Sequence, residues 1–179
     1  KLGGWAHFGT FEDRRFADDG SLLADPGGSG DAAKRHGDWG FYGVLEQQLY
    51  RPKGGEADSG ISVFARLSLS PSDRNDIGLF ADGGIVFAGM IAGRPDDKFG
   101  ASLMYAQFSD GVRAFARDQI AWTGTPTVVP DYEMNLELTY LAQIIPGWTV
   151  QPVLTYVWHP SGESGRDAMV VGVRSNWRY

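Results

Sequence analysis

Apolar and polar residues alternate with a period of two along much of the chain. The clearest segment runs from Asp131 to Gln143, where every even-numbered residue is apolar and six of the seven odd-numbered residues are polar. A helix would place Leu136 and its neighbouring glutamates on overlapping faces, whereas a strand separates them onto opposite faces. The segments that follow repeat the pattern. This alternation predicts antiparallel strands, each with one apolar face and one polar face.

The whole chain follows this rhythm, which predicts one all-β domain over residues 1–179. No run of 18 apolar residues is present, and this excludes a transmembrane helix. One short turn of helix is expected between Gly111 and Gln119, inside a connection. The eight predicted strands cover residues 2–11, 39–50, 59–70, 77–89, 98–108, 131–143, 148–158 and 168–179.

The connections between these strands alternate in length, with 71–76 the weakest case. Bacterial transmembrane barrels have short periplasmic turns and longer extracellular loops. The pattern therefore predicts a transmembrane antiparallel up-and-down β-barrel, with the N- and C-terminal ends on the periplasmic side. The extracellular set is 12–38, 71–76, 109–130 and 159–167, and the periplasmic set is 51–58, 90–97 and 144–147.

Aromatic residues on the apolar face indicate how the strands cross a bilayer. Tyr132 and Tyr140 are separated by about 26 Å of strand, or roughly 20 Å along the membrane normal at a tilt of about 40°. Trp and Tyr favour membrane interfaces. We therefore expect two aromatic belts: an outer one at Tyr132, Tyr156 and Trp158, and an inner one at Tyr140, Trp148, Trp177 and Tyr179.

Composition excludes several other classes of protein. The mean hydropathy of -0.24 also fits a wall with lipid-facing and water-facing residues, because averaging hides the alternation. The 25 Gly, 10 Phe, 7 Tyr and 6 Trp residues suit turns, strands and belts. Without cysteine there are no disulfides or thiolate metal sites. The net charge of -6 argues against a nucleic-acid partner.

Five stretches of the chain carry a family resemblance: YRPKGG (Tyr50 to Gly55), ISVFARLSLSPSDRN (Ile61 to Asn75), AGRPDDKFG (Ala92 to Gly100), DYEMNLELTYLAQIIPGWTVQP (Asp131 to Pro152) and VWHPSG (Val157 to Gly162). They resemble the carbohydrate-selective porins of the OprB type, and the resemblance extends over nearly the whole chain. It implies an outer-membrane barrel of sixteen strands that admits glucose and related small neutral sugars. The match is to the C-terminal half of such proteins. The eight predicted strands would then need further strands or a partner chain, because a barrel of eight strands is filled by its own side chains.

The polar faces supply candidates for a sugar pathway. Opposed arginines and carboxylates order water across a constriction and offer donors and acceptors to a diol. The open alternative is that they are structural ion pairs between neighbouring strands. Arg66 and Glu46, on adjacent strands at mid-height, are the leading candidates for a constriction. Trp5 and His7 share the lumen face of the first strand, where packing under a loop is favoured over stacking on sugar. The full lumen set is Glu46, Arg66, Asp82, Glu133, Asn135, Glu137, Gln151, Thr155, Arg174 and Arg178.

Metal and catalytic chemistry are less well supported. The acidic connection 12–38 lacks EF-hand spacing, which favours a solvated loop over a Ca²⁺ site. The segment Gly162–Arg166 approaches a nucleophile elbow but has Arg166 where glycine is required. His159 lies near serines in sequence, which does not make a triad. No cofactor, no metal and no enzymatic activity are therefore expected. The acidic residues of the connection are Asp13, Asp18, Asp19, Asp25 and Asp31.

The predicted function is passive diffusion of small neutral sugars across the bacterial outer membrane, with lipid around the barrel. A homo-oligomer or association with other envelope proteins is left open. The alternative is a structural or binding barrel, such as an adhesin or assembly partner, with its function in connections 12–38 and 109–130. A soluble β-sandwich lectin would need a polar outer face, which the apolar stripe from Tyr132 to Ala142 contradicts.

Overall fold

The computed structural model describes residues 1–178, which form one antiparallel sheet of eight strands. Each strand is hydrogen-bonded to the next in chain order. The eight strands predicted from the alternation are confirmed. They are β1 (Leu2–Ala17), β2 (Ala32–Tyr50), β3 (Gly60–Leu69), β4 (Ile77–Ala88), β5 (Lys98–Phe108), β6 (Tyr132–Ile145), β7 (Trp148–Trp158) and β8 (Asp167–Trp177). One helix, α1 (Asp110–Thr123), lies between β5 and β6, and a 3₁₀ turn (Pro160–Gly162) precedes β8.

The first two strands are longer than predicted. β1 continues to Ala17 and β2 begins at Ala32, so the connection is 18–31 rather than 12–38. The β1–β2 ladder shifts register twice, between His7 and Thr10 and between Glu12 and Ala17. Each shift interrupts the period of two, because extra residues on β1 have no partner on β2. The alternating segments in the sequence are therefore shorter than these two strands in the structure.

Helix α1 has 14 residues, which is longer than the single turn expected. Ser109 begins it, because its side chain accepts a hydrogen bond from the N–H of Val112. Gly124 ends it in the left-handed region, with φ of 65°, and donates its N–H to the carbonyl of Ile120. Within residues 1–178 no helix has the length and apolar content needed to cross a membrane.

One face of the sheet, the apolar face, is not covered by any protein core. Among the described residues only Ala17, Ala88 and Ala116 are buried hydrophobic residues, and no large side chain is fully buried. Val171 and Val173 are 71% and 72% exposed. Such a continuous exposed apolar surface requires an apolar surrounding. The apolar face contains the register row Leu45, Ala65, Gly83, Leu103, Leu136, Tyr156 and Met169, and the residues two positions away on each strand.

The turn between β6 and β7 is the tightest in the sheet. It consists of Pro146 and Gly147, two residues rather than the predicted 144–147. Proline sets the first turn position, and glycine at φ of 85° meets the positive φ that a type II turn requires at the next. The N–H of Arg178 donates to the carbonyl of Gly147 at 2.7 Å. The turn therefore also holds the chain just beyond β8.

Asp97 anchors the turn between β4 and β5 to the neighbouring strand β6. Its side chain is almost fully buried and accepts hydrogen bonds from Arg94 at 2.7 Å and from the N–H of Gln143 at 2.9 Å. The hydroxyl of Tyr140 donates to the same carboxylate. Burial of Asp97 favours its neutral form, but the hydrogen bonds from Arg94, Tyr140 and Gln143 outweigh burial and lower its pKa. The ionised carboxylate therefore stabilises this turn.

A charge placed on the apolar face should destabilise the folded protein in a bilayer. For Leu136→Arg we expect a loss of about 2–4 kcal/mol, because the arginine would face hydrocarbon near the middle of its strand. The matched control is Glu137→Arg, one residue further and on the opposite face, with a change of about 0.5 kcal/mol or less. Denaturant unfolding in lipid vesicles measures both, and equal losses would contradict the assignment of the two faces.

Removing the charge of Asp97 should give a pH-dependent loss of stability. Because the pKa of Asp97 is lower in the folded protein, its stabilising contribution is present above the ordinary aspartate pKa of about 3.9 and is lost as the pH falls through the folded value. We expect Asp97→Asn to unfold more easily than wild type at pH 7, with the difference shrinking below about pH 4. Unfolding curves across pH measure this. Asp96→Asn, at the exposed neighbouring position, serves as the control, and a difference that is constant with pH would refute the ionic anchor.

Candidate pore-lining face

The strand register brings the predicted lumen residues onto the second face of the sheet, the polar face. Of the ten candidates, nine lie on this face, and Arg178 follows the end of β8. One register row of the polar face is Val44, Arg66, Asp82, Met104, Asn135, Val157 and Ala168. The next row is Glu46, Phe64, Gly84, Ser102, Glu137, Thr155 and Val170, and Gln151 pairs with Arg174.

Arg66 and Asp82 form an ion pair across the β3–β4 ladder. The Arg66 Nε lies 2.8 Å from the Asp82 Oδ1, and a second guanidinium nitrogen contacts Oδ2. The Arg66 side chain is 55% exposed, whereas that of Asp82 is 8% exposed. The guanidinium also lies 5.9 Å from the centre of the Phe64 ring. The pair is therefore a cross-strand ion pair, as the open alternative held, and its cationic group still faces open space.

Glu46 lies one row away from Arg66 and does not pair with it. Its register partner on β3 is Phe64, whereas Arg66 stands opposite Val44. Within residues 1–178, Glu46 forms neither a salt bridge nor a side-chain hydrogen bond, and it is exposed. Among the candidates for a constriction, Glu46 therefore offers a free carboxylate on the strand next to Arg66.

Several candidates on β6 and β7 are engaged in holding the wall together. Glu133 accepts a hydrogen bond from the N–H of Ser161 at 2.8 Å, which ties the connection before β8 to β6. Asn135 donates to Glu133 at 3.4 Å. Gln151 donates to the hydroxyl of Thr139 at 2.8 Å. These side chains are positioned by neighbours and are less available to a solute. In the described part of the chain, Glu137 and Arg174 carry no side-chain hydrogen bond or ion pair.

Arginine–aspartate pairs concentrate at the end of the sheet where α1 lies. The acidic connection 12–38 was expected to be a solvated loop, and the alternation in the sequence does not predict these pairs, because the partners are far apart along the chain. Asp13 is buried and pairs with Arg35 at 2.6 Å, and its carboxylate also accepts two backbone N–H groups. Asp118 on α1 binds the guanidinium of Arg15 through both oxygens, at 2.7 and 3.2 Å. The helix is thereby fixed against β1, four strands away from β5.

The aspartates of the 18–31 connection stabilise its backbone. Asp19 accepts hydrogen bonds from the hydroxyl and N–H of Ser21 and from the N–H of Ser29. These bonds, the hydroxyl of Ser21 first, lower the pKa of Asp19. Asp18 accepts the hydroxyl of Ser29 at 2.5 Å. No group of three or more potential metal ligands occurs within residues 1–178.

Aromatic residues form two groups on the apolar face, near the two ends of the strands. Trp148 stacks on Trp177 at 4.4 Å between ring centres, and Tyr156 contacts Trp158 edge-on at 4.8 Å. The period-two pattern of β4 and β5 also placed Phe87, Phe99 and Tyr105 on this face, but they were not predicted as belt residues. Phe87 and Phe99 stand opposite each other in the register, and Phe99 stands opposite Tyr140. Tyr179 lies outside the described residues, and the placement of both groups at membrane interfaces stays a prediction.

The side chain of His159 lies against β6. The imidazole packs on Tyr132 at 4.5 Å between ring centres, and the His159 carbonyl accepts the N–H of Gly162. In the described structure no hydrogen bond joins this imidazole to Ser161 or Ser164. The arrangement is a packed corner between β6 and the last connection.

Comparisons with known proteins agree with this geometry. The family described as carbohydrate-selective porin, OprB family, matches residues 1–179. Porin B of Pseudomonas aeruginosa is 30% identical over 148 residues, which are 78% of this chain and 32% of that protein. The chain thus spans about a third of the length of this curated relative. A solved structure, the high pH structure of Pseudomonas putida OprB, has the same fold, with a TM-score of 0.90 at 24% identity. The match covers 98% of this chain and 43% of that one.

Membership of a porin family implies the outer membrane of Gram-negative bacteria. The exposed apolar face and the polar face behind it are the two surfaces that such a wall requires. Because the match to the family includes every residue from 1 to 179, this chain belongs to the OprB family of carbohydrate-selective porins.

Proposed function

We propose that this chain forms part of the wall of an outer-membrane pore through which small neutral sugars, glucose among them, diffuse passively. The observation that carries the proposal is the contrast between the two faces of one sheet. The apolar face has no protein covering it, whereas the polar face holds the exposed guanidinium of Arg66 and the free carboxylate of Glu46. Lipid on one side and water on the other accommodate both faces.

The wall needs further strands to close. β1 and β8 are the two ends of the sheet order and do not pair with each other in the described structure. Unpaired strand edges are not tolerated in hydrocarbon, because no water satisfies their backbone groups. We propose that residues 1–179 are one part of a single barrel domain, which further strands complete to about sixteen, wide enough for an aqueous lumen. Assembly of such barrels into oligomers, or with other envelope proteins, stays a prediction.

The connections define the orientation that we propose. Those at one end of the sheet are 18–31, 70–76, 109–131 with helix α1, and 159–166, and those at the other end are 51–59, 89–97 and 146–147. The first end carries the longer connections overall and is assigned to the extracellular side. The end of β8, and the side from which β1 starts, then face the periplasm.

A neutral polyol suits the groups available on the polar face. Arginine offers several N–H donors in a fixed plane, and a carboxylate offers two acceptor oxygens. Arg66, Asp82 and Glu46 place both kinds of group within two adjacent register rows. Hydroxyl groups can replace water on these side chains without adding charge. A pore lined in this way can therefore favour sugars over charged solutes of the same size.

Liposome swelling tests the proposed function. Vesicles that carry the full-length protein should swell faster in isotonic glucose than in a zwitterionic amino acid of similar size, and protein-free vesicles should not swell. Equal swelling rates in glucose and in the amino acid would show that the pore is general and does not select sugars. Without any swelling or ion conductance, the alternative of a binding or structural barrel would hold instead.

Arg66 should contribute to both ion selectivity and stability. For Arg66→Gln we expect a shift of the reversal potential toward cation selectivity, because a positive charge leaves the lumen wall. We also expect a loss of stability of about 1–3 kcal/mol, because the Asp82 carboxylate, which is 8% exposed, loses its charged partner. Reversal potentials in a KCl gradient across planar bilayers measure the shift. Arg166→Gln removes the same charge in the last connection, and an equal shift for both variants would place Arg66 outside the conducting path.

A further inference from the structure

Three aromatic side chains on the polar face extend over glycines of the neighbouring strand. A Cβ added to Gly3 would come within 2.5 Å of the Tyr42 ring, and one added to Gly40 would come within 2.6 Å of the Trp5 indole. The Phe64 ring covers Gly84 in the same way, at 2.7 Å. Each glycine is the register partner of the ring that covers it. Only a residue without a side chain allows the ring to approach the strand so closely.

Trp5 and Tyr42 lie in neighbouring register rows of the polar face. Tyr42 stands on β2 and reaches over β1, whereas Trp5 stands on β1 and reaches over β2. Their rows are two residues apart, which is about 7 Å along the strands. Although each ring covers a glycine, both residues stay partly exposed: Trp5 is 43% exposed and Tyr42 is 44% exposed. These two exposed aromatic side chains are called the aromatic platform.

Polar groups adjoin this platform on the same face. Arg66 stands opposite Val44, two residues from Tyr42 on β2, and its guanidinium extends to Asp82. Glu46 follows two residues further along β2, without an ion pair in the described part of the chain. The register therefore places hydrogen-bond donors and acceptors on the same face as the two rings, within the next rows.

We propose that Trp5 and Tyr42 form a stacking site for the pyranose ring of a neutral hexose on the pore wall, beside the Arg66–Asp82 pair. This inference rests on the proposed function and assigns it a subsite. A pyranose has a face of C–H groups and a rim of hydroxyls. The C–H groups, which carry partial positive charge, are attracted to the negative face of an aromatic ring. The rim would exchange hydrogen bonds with Arg66 and Glu46.

A purely structural role for the rings makes a different prediction. An aromatic side chain over a glycine stabilises strand pairing. On that account, removing a ring would weaken folding and leave the sugar response of the folded pore unchanged. The stacking site instead predicts a change in sugar affinity in pores whose ion conductance is retained.

Block of ion current by sugars separates these outcomes. The full-length protein in planar bilayers is titrated with glucose, and with sorbitol, which has the same hydroxyl chemistry but no ring. Wild type should be half-blocked at a lower concentration of glucose than of sorbitol. For Trp5→Leu and Tyr42→Leu we expect the half-blocking glucose concentration to rise about fivefold, the equivalent of about 1 kcal/mol, with little change for sorbitol. Trp5→Phe should retain part of the preference.

Two further variants control for folding and position. Trp39→Leu removes an indole from the apolar face, next in sequence to Gly40, and should leave the glucose titration unchanged. Gly3→Ala keeps both rings but displaces Tyr42, because the three atoms nearest to the added Cβ all belong to that side chain. It should weaken the block by glucose as Tyr42→Leu does.

The outcomes distinguish this inference from the proposed function. If the variants conduct ions and keep the wild-type ratio of glucose to sorbitol, the stacking site is wrong and the pore stands. If Trp39→Leu weakens the block as much as Trp5→Leu, the effect does not come from the polar face and the site is also wrong. If the wild-type protein forms no pore, both proposals fall together.

Discussion

The structure depends on one constraint: in hydrocarbon, every backbone N–H and C=O must find its partner within the protein. The seven antiparallel ladders between β1 and β8 meet it for the interior of the sheet. Because strands direct successive side chains to opposite sides, the same ladders divide the residues into two sets. One set faces lipid and needs no protein partner. The other can carry charge without destabilising the wall, since water reaches it.

This division explains why the protein lacks a conventional core. Only small alanines are buried among its hydrophobic residues in the described part of the chain. Stability in such a wall comes from the ladders, from lipid packing on the apolar face and from local anchors. Asp97 and the Pro146–Gly147 turn are anchors of this kind. The AGRPDDKFG stretch, which resembles the family, contains both Arg94 and Asp97. These two residues stabilise the turn between β4 and β5.

The two ends of the sheet are built differently. At the end with α1, arginine–aspartate pairs tie together segments that are far apart in the chain, such as Arg15 with Asp118. At the other end, the turns 89–97 and 146–147 are held by hydrogen bonds from Gln143 and Arg178. In the proposed orientation, the segments tied by arginine–aspartate pairs form the outer rim, and the strands between the two ends present the polar face to the lumen.

The alternation of residues was sufficient to predict the eight strands and their faces, because the period of two is a local property of extended backbone. It also placed Arg66, Asp82 and Glu46 on one side. The alternation covered too little of β1 and β2, where register shifts disturb the period of two. It gave α1 only a single turn, although Ser109 and Gly124, a typical N-cap residue and C-cap residue, mark its two ends.

The sequence by itself determined the architecture: which segments are strands, which residues face lipid, and the family to which the stretches are similar. Only the tertiary structure decided which side chains contact one another. It paired Arg66 with Asp82 rather than with Glu46, placed Tyr42 over Gly3, and fixed α1 against β1. The physical reason is that alternation assigns a residue to a face, whereas contacts across strands depend on register and on the direction of each side chain. Neither of these is encoded in the period of two.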